Sequence, residues 1–463
     1  MRLRSYSILC LVVLCAAGMV YYHLGLFVPA ATRARAAQGF GNGYSFGADL
    51  YPIWLTSRET LLHHQNPYSR EMTRQIQIGL FGKGLAAQGA APSPDYRAFS
   101  YPVYVDLLFW PLALLPFPGV RIGWAVILCA ITAISVVLWL RALRIATRKV
   151  TVASLILLTL SSYAVLEGLF AEQAGLVAGF LLAGSLAALV GRRLFLSGGL
   201  LGIALIKPQM IVLVALYLLL WSSCQWRERW RFAAGFLLMA GVFGGSSLLV
   251  WPGWIGQWLQ VILGYRPYST PPLVGYLAVG PVRSFTGPLL IVTLLAIALA
   301  FAWRMRIASA ASPEFMLTVS LLFAVTTVAV LPGHAVYDHV VLLPGILLIG
   351  FWHSIEASKK TYRLILGLGA LALIWPWICA PEIVMLRPIL SPQRFSTILM
   401  LPIRTAASIP FCVLALLSLM AWHRVGKNEI EGLGRADTQS GSEGASGPED
   451  PLQFSEVLGR QVT

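Results

Sequence analysis

The stretch GVRIGWAVILCAITAISVVLWL (119–140), followed directly by RALRIATRK (141–149), decides the fold class. Its first part is almost wholly apolar and long enough to cross a hydrocarbon core of about 30 Å. Inside a bilayer, each backbone amide and carbonyl needs a partner within its own segment, so this run must be helical. The basic residues that follow are typical of the cytoplasmic end of a membrane span.

Apolar runs of this kind recur along the whole chain. Of its 463 residues, 57% are hydrophobic and 11% are charged, whereas soluble domains carry about 25% charged residues. We therefore predict an all-α fold, a polytopic transmembrane helix bundle of about twelve spans. The predicted spans are residues 7–30, 119–140, 150–167, 174–190, 194–206, 209–222, 232–251, 284–303, 313–331, 337–353, 364–380 and 402–422.

One apolar segment, YPVYVDLLFWPLALLPF (101–117), departs from this pattern because it is short and interrupted by prolines. We expect it to be an interfacial helix in the first outer loop, residues 31–118. With this segment left out of the alternation, the Lys and Arg clusters fall on one side, which the positive-inside rule assigns to the cytoplasm. Both termini are then cytoplasmic. The segments 194–206 and 209–222 are short, and one long kinked helix is an alternative for them.

The formal net charge of +15 has the same explanation. Nucleic-acid binding needs a basic stripe on a soluble face, and here the basic residues sit in short loops between apolar runs, so no nucleic-acid partner is expected. We assign residues 1–425 to a transmembrane domain. Residues 426–463 are rich in Gly, Ser, Glu and Asp, which predicts a disordered cytoplasmic tail.

Unusual polar residues gather at the outer ends of the predicted spans. Lys207 lies between two apolar segments, where an ionisable side chain costs at least about 2.5–3.5 kcal/mol. It is either functional or snorkels to the interface. Asp49 follows the first span and can act as a general base, or it can be a turn or helix-capping residue.

Late in the chain, His334, Asp338 and His339 fall within six residues. A polar cluster at a helix start, facing a water-filled cavity, is favoured over a metal site because no further acids flank the two histidines. Asn66 begins an Asn-Pro-Tyr run that is typical of a turn. Tyr101 belongs to a group of aromatic residues that can also be an interface belt.

The order of several motifs resembles glycosyltransferase family 87, membrane enzymes of the C-type superfamily that use polyprenyl-phosphate sugars. The resemblance covers roughly residues 45–345. The motifs that carry it are GADLYPIW (47–54), NPYS (66–69), FSYPVYVDLLFWPLALLPFP (99–118), EQAG (172–175), ALIKPQ (204–209) and PGHAVYDHVVLLP (332–344).

The resemblance implies a GT-C-like fold with an active site on the extracytoplasmic face, and Asp49 matches the catalytic base. Glu172 stands where the family has Gly, which leaves the local backbone geometry open, and Asn66 replaces the family's usual acid. The expected donor phosphate-binding residues are Lys207, His339, Arg266 and Arg283. The expected substrate-binding residues are Tyr51, Asn66, Tyr68, Tyr101, Gln173, His334 and Asp338.

The implied function is an inverting hexosyltransferase of the plasma (inner) membrane, with mannose as the expected hexose. Its partners would be a polyprenyl-phosphate sugar donor, a glycan, glycolipid or protein acceptor, and the bilayer itself. No cofactor is expected, and no metal, because the sequence near Asp49 has no paired DxD motif. The alternative is a secondary transporter or lipid-linked sugar flippase, for which a span broken at Lys207-Pro208 would also be suited.

Overall fold

The computed structural model describes residues 2–41, 43–84, 96–265, 269–278, 283–352 and 360–423. These residues are helices and their connections, and the only β pairing among them is a single bridge between Pro272 and Pro332. Residues up to Leu417 belong to one compact unit. The predicted tail, 426–463, lies outside the described residues.

Nineteen helices are numbered in chain order. Between α1 and α2, residues Tyr22–Phe27 form a π-helical segment, so that the first helix runs on without a break. The helices are α1 (Arg2–Tyr21), α2 (Val28–Ala37), α3 (Leu50–His63), α4 (Arg70–Phe81), α5 (Tyr104–Ala113), α6 (Phe117–Ala142), α7 (Lys149–Leu160), α8 (Tyr163–Ala171), α9 (Ala174–Val190), α10 (Leu194–Ile203), α11 (Pro208–Cys224), α12 (Trp226–Val250), α13 (Trp254–Tyr265), α14 (Arg283–Arg304), α15 (Pro313–Ala329), α16 (Leu343–Trp352), α17 (Lys360–Leu386), α18 (Pro392–Leu399) and α19 (Leu401–Ala406).

Six helical stretches among the described residues are long and apolar enough to cross a membrane. In Ser284–Arg304 only 11% of the most apolar window is buried within the protein; the rest is an apolar surface that lipid can cover. These side chains make the protein a multi-pass membrane protein. The six stretches are Tyr6–Ala37, Phe117–Ala142, Trp226–Val250, Ser284–Arg304, Gly367–Leu386 and Pro392–His423.

The predicted number of twelve spans is not confirmed. The described residues of the predicted spans are mostly helical. Among them, length and composition support six spans, or seven if α7 and α8, bent by 59° at their junction, count as one. The segment 101–117 holds the ten-residue helix α5. At 1.5 Å per residue α5 reaches about 15 Å, half of the hydrocarbon core, so it cannot cross alone.

Glycines allow α10 to pack closely on α12. A Cβ on Gly198 would overlap the Phe232 carbonyl, and a Cβ on Gly235 would overlap the Phe195 carbonyl. Small residues of this kind let membrane helices approach until their backbones touch. This contact fixes α10, whose C-terminal end leads into the break at Lys207.

Two separate helices meet at that break. A 3-10 turn, Ala204–Ile206, ends α10, and Lys207 takes a non-helical conformation with φ −136° and ψ 74°. Pro208 explains this, because the residue before proline is disfavoured in the helical region and proline is well suited to the first turn of the next helix. The Tyr104 hydroxyl donates to the Leu205 carbonyl at 2.7 Å, which satisfies a backbone group freed by the break.

Candidate functional site

The Asp49 turn, residues 47–49, is held against the end of α8. The amide of Gly47 donates to the Phe170 carbonyl at 2.9 Å, and the amide of Asp49 donates to the Ala171 carbonyl at 3.1 Å. Gly47 has φ +78° and its Cα faces the Glu172 carboxyl, so that a Cβ would lie 2.7 Å from Oε2. Glycine is therefore required at this position for both conformation and space.

The Asp49 carboxylate points away from its own helix. It stands at the N-cap position of α3, but its φ of −95° and ψ of −18° are helical and its side chain makes no capping hydrogen bond. Instead, Arg97 donates to Oδ1 and Gln173 donates to Oδ2. The capping interpretation of Asp49 is therefore wrong, and only 14% of the side chain remains exposed.

Gln173 is positioned by a tight connection between α8 and α9. Glu172 ends α8 in the left-handed conformation, φ 58° and ψ 49°, and Gln173 is extended at the start of α9. Glycine takes the left-handed conformation freely, and another residue loses about 1–2 kcal/mol there. The Gly-to-Glu replacement noted in the sequence thus keeps the backbone geometry that glycine would allow.

Lys207 continues the chain of hydrogen bonds. Its ammonium donates to the Gln173 amide oxygen at 3.0 Å and to Asp338 Oδ1 at 2.6 Å. It also lies 4.7 Å from the ring centre of Tyr337, a cation–π distance. Lys207 is 4% exposed, so it does not snorkel to the interface.

Gly175 leaves the room that this ion pair needs. A Cβ at this position would lie 3.2 Å from the Lys207 ammonium and would overlap Asp338 Oδ1. The polar chain therefore runs Arg97, Asp49, Gln173, Lys207, Asp338, and it joins five separate parts of the sequence. Asp49 lies near the Arg97 end of this chain, where the side chains are partly exposed. Asp338 lies at the other end, which is buried.

Glu172 is a third carboxyl group beside this chain. It is fully buried, and both of its oxygens lack a hydrogen-bond partner among the described residues. Burial raises the pKa of this carboxyl to about 8, although the Arg121 guanidinium opposes the shift. The Arg121 guanidinium lies 5.6 Å from the ring centre of Phe46. Burial therefore favours the protonated form of Glu172.

The family model of glycosyltransferase family 87 matches residues 99–332, half of the chain. The chain belongs to glycosyltransferase family 87. It is thus a membrane glycosyltransferase that takes a sugar donor and an acceptor, and the transporter alternative loses its support. No curated protein and no solved structure gives a significant match.

The residues that the family model matches include only part of the candidate site of this family 87 enzyme. Gln173 and Lys207 lie inside it, whereas Asp49 and Asp338 lie outside it. The assignment of the last two to the site therefore rests on contacts: Asp49 bonds Gln173, and Asp338 bonds Lys207.

Four residues expected to bind substrate lie in the packing around the first loop. Tyr51 fits against Gly79, where a Cβ would overlap its hydroxyl. The Asn66 side chain accepts from the Tyr68 amide at 2.9 Å, which confirms the turn interpretation. The Tyr68 hydroxyl donates to the Tyr101 carbonyl at 2.9 Å. These contacts hold the first loop together.

His334 and His339 have different surroundings in the structure. His334 is exposed, and its Nδ1 is 2.9 Å from the Thr270 hydroxyl, whereas Asp338 turns to Lys207. His339 is buried beside Asp338 in the 3-10 segment Val336–Leu342, and no described hydrogen bond joins it to the polar chain. The described hydrogen bonds thus join His334 to Thr270 and Asp338 to Lys207.

Arg266 lies outside the described residues, and Arg283 begins α14 without a described side chain. Within the described part of the chain, no group of three or more His, Cys, Asp or Glu residues could hold a metal ion.

Sequence reasoning missed Arg97, Tyr337 and the acid Glu172 as parts of the site. Arg97 lies in the connection before α5, where no periodicity or motif distinguishes it from other loop arginines. Tyr337 directly precedes Asp338 in the motif PGHAVYDHVVLLP. Its position next to a predicted site residue could therefore have identified it. The departure of Glu172 from the family pattern was a signal as well.

Proposed function

We propose that the protein transfers a hexose, with mannose as the expected sugar, from a polyprenyl-phosphate donor to a hydroxyl acceptor on the extracytoplasmic face. The observation that carries this proposal is the chain of polar contacts from Arg97 through Asp49 and Gln173 to Lys207. It sets a carboxylate beside cations at a partly open position. Sugar transfer from a lipid phosphate needs both.

In this proposal Asp49 is the general base. The acceptor oxygen forms a bond to the anomeric carbon while the bond from that carbon to the phosphate oxygen breaks. The electron pair of the broken bond leaves with the lipid phosphate, and the hydroxyl proton passes to Asp49. A single displacement of this kind inverts the anomeric configuration.

The donor phosphate carries the charge that develops during transfer. Arg97 is the most accessible cation of the polar chain, with 22% of its side chain exposed. Lys207 is largely neutralised by Asp338, so we assign to it the orientation of Gln173 and, through Gln173, of Asp49. Donors aimed at developing charge contribute roughly 3–4 kcal/mol each in other enzymes.

The extracytoplasmic placement is supported by the directions of two helices. Both α9 and α11 begin at the polar chain, at Gln173 and Lys207, and both end near basic clusters. The clusters are Arg192 with Arg193, and Arg227 to Arg231. Since the positive-inside rule places such clusters in the cytoplasm, the polar chain would face the opposite side.

A donor panel tests the proposal. The protein in lipid nanodiscs is incubated with radiolabelled polyprenyl-phosphate mannose, glucose or galactose, and separately with nucleotide sugars, in the presence of a membrane extract as acceptor source. We expect transfer from polyprenyl-phosphate mannose, a product of inverted anomeric configuration, and activity that persists in EDTA. Transfer from nucleotide sugars alone, or retention of configuration, would contradict the proposal.

A further inference from the structure

Arg229 joins two parts of the chain at the end of α11 that lies away from Lys207. It is buried, and its guanidinium donates to the Trp221 carbonyl at 2.8 Å and to the Arg306 carbonyl at 3.4 Å. The Trp221 indole in turn donates to the Ala308 carbonyl at 2.8 Å. The start of α12 is therefore fixed against the residues that follow α14.

The first two turns of α12 expose two tryptophans beside two arginines. Trp226 and Trp230 are one helical turn apart, as are Arg227 and Arg231, so the members of each pair are neighbours on the helix surface. Trp226 is 54% exposed and Trp230 is 46% exposed, and both arginines are exposed. The Arg231 guanidinium lies 5.9 Å from the ring centre of Trp230. We call these four residues the Trp/Arg face.

The end of α14 has a second pair of this kind. Trp303 is 56% exposed, and the Arg306 guanidinium lies 4.4 Å from its ring centre. Because Arg229 binds the Arg306 carbonyl, this pair and the Trp/Arg face lie at the same end of the helix bundle. Trp226–Val250 and Ser284–Arg304 are both long and apolar enough to cross a membrane. The exposed indoles are therefore at the level of the lipid head groups.

The Trp/Arg face has an excess of positive charge. Glu228 is the one acid in residues 226–231, against three arginines. Like charges one helical turn apart repel each other, and Arg229 gives its donors to neutral carbonyls. A bound anion would relieve this repulsion. Guanidinium groups match phosphate especially well, because they donate two parallel hydrogen bonds to it.

The positive-inside rule alone does not account for the Trp/Arg face. Arg192 and Arg193, between α9 and α10, follow the same rule, but no tryptophan lies near them in the sequence. An indole has an apolar body and a polar N–H group, which suits the boundary between head groups and acyl chains. A soluble anion makes no use of exposed indoles, whereas a lipid with an anionic head group contacts both kinds of side chain.

We infer that the Trp/Arg face binds the head group of an anionic phospholipid. Arg227 and Arg231 bind the lipid phosphate, and Trp226 and Trp230 pack against the glycerol and the first part of the acyl chains. Arg229 does not touch the lipid but holds the start of α12 in place. The inference goes beyond the proposed sugar transfer and does not depend on it.

A titration with short-chain lipids tests the inference. The protein in dodecyl maltoside receives dioctanoyl phosphatidylglycerol, dioctanoyl phosphatidylcholine or inorganic phosphate, and the Tm is measured at each concentration. A ligand that binds the folded protein raises its stability with concentration, so the dependence of the Tm on concentration gives a Kd. We expect phosphatidylglycerol to raise the Tm, and phosphatidylcholine and inorganic phosphate to leave it unchanged at the same concentration.

Three variants test the residues. Arg227→Gln/Arg231→Gln should raise the Kd for phosphatidylglycerol at least about tenfold, because both charge-assisted contacts with the phosphate are lost. Trp230→Leu should raise it about three- to tenfold through the loss of ring contact. Arg192→Gln/Arg193→Gln removes the same charge from the exposed loop after α9 and is the matched control. Its Kd should stay within about twofold of wild type.

Equal stabilisation by phosphatidylglycerol and phosphatidylcholine would overturn the inference, because the site would then have no preference for an anionic head group. Stabilisation by inorganic phosphate would also overturn it and would indicate a site for a free anion. An equal loss of affinity in the control would mean that overall charge, and not the Trp/Arg face, attracts the lipid. If the double variant does not fold, Arg227→Gln, expected to raise the Kd at least about threefold, decides together with Trp230→Leu. Wild-type affinity in both would overturn the inference.

Discussion

Asp49 and Asp106 are two shielded carboxyls near α3, and their surroundings differ. Asp49 stands at the start of the helix, partly open, with Arg97 and Gln173 on its two oxygens. Asp106 lies in α5 against α3, fully buried, with a 3.1 Å hydrogen bond from Ser57 and no partner on Oδ2 among the described residues. Burial raises the pKa of Asp106 well above its usual value. Asp49 thus has a cationic and an amide partner at a partly open position, whereas Asp106 has one hydroxyl partner and is fully buried.

The largest effect is expected from Asp49→Asn. The substitution keeps the size of the side chain but removes its ability to take a proton, so kcat should fall about 10²- to 10⁴-fold. Transfer from polyprenyl-phosphate mannose to an octyl hexoside measures it. The amide of Asn can accept only one of the two hydrogen bonds that Arg97 and Gln173 donate to Asp49, so a lower Tm is expected and kcat is compared for the folded fraction. Full activity in the folded variant would remove Asp49 from the mechanism.

Gly175→Ala should have the next largest effect on kcat. The added methyl group would overlap Asp338 Oδ1 and crowd the Lys207 ammonium, which displaces the ion pair that orients Gln173. Misplacement of this order can cost about 10²-fold in rate, and we expect a loss of about 10- to 100-fold in kcat. Gly123→Ala is the matched control, since nothing lies within 4 Å of its added Cβ. Equal activity of the two variants would mean that the ion pair does not support Asp49.

The positions of the helices could be predicted from the sequence better than the number of helices that span the membrane. Lipid forces apolar runs to be helical, so the described residues of the predicted spans are mostly helical. The sequence does not distinguish a short buried helix such as α15 from a lipid-facing one. Asp49, Gln173 and Lys207 were predicted as site residues through family resemblance, since a contact between positions far apart leaves no trace in local periodicity. Arg97 could not be predicted for the same reason.

Glu172 resembles Asp106 because it is buried with carboxyl oxygens that lack a partner among the described residues, but it lies beside the Asp49 turn. The folded protein holds its proton more tightly than the unfolded chain, whose pKa is near 4.5. Stability is therefore fully present below about pH 4.5 and falls as the pH rises towards about 8. In Glu172→Gln this part of the dependence of stability on pH should disappear. The Tm of the variant should therefore rise relative to that of wild type as the pH increases from 5 to 8. An unchanged slope would mean that Glu172 ionises freely, for example by pairing with Arg121.

Asp106→Asn should have the smallest effect on activity. An amide resembles the protonated carboxyl in shape and can keep the hydrogen bond with Ser57, so the packing of α5 on α3 should persist. We expect kcat to stay within about threefold of wild type, because a hydrogen bond of this kind contributes only about 1 kcal/mol. Because the raised pKa makes the wild type lose stability as the pH increases, the Tm of the variant relative to wild type should be higher at pH 8 than at pH 5. A loss of activity as large as that of Asp49→Asn would show that Asp106 is ionised and catalytic, and that partners and burial do not separate the two carboxyls.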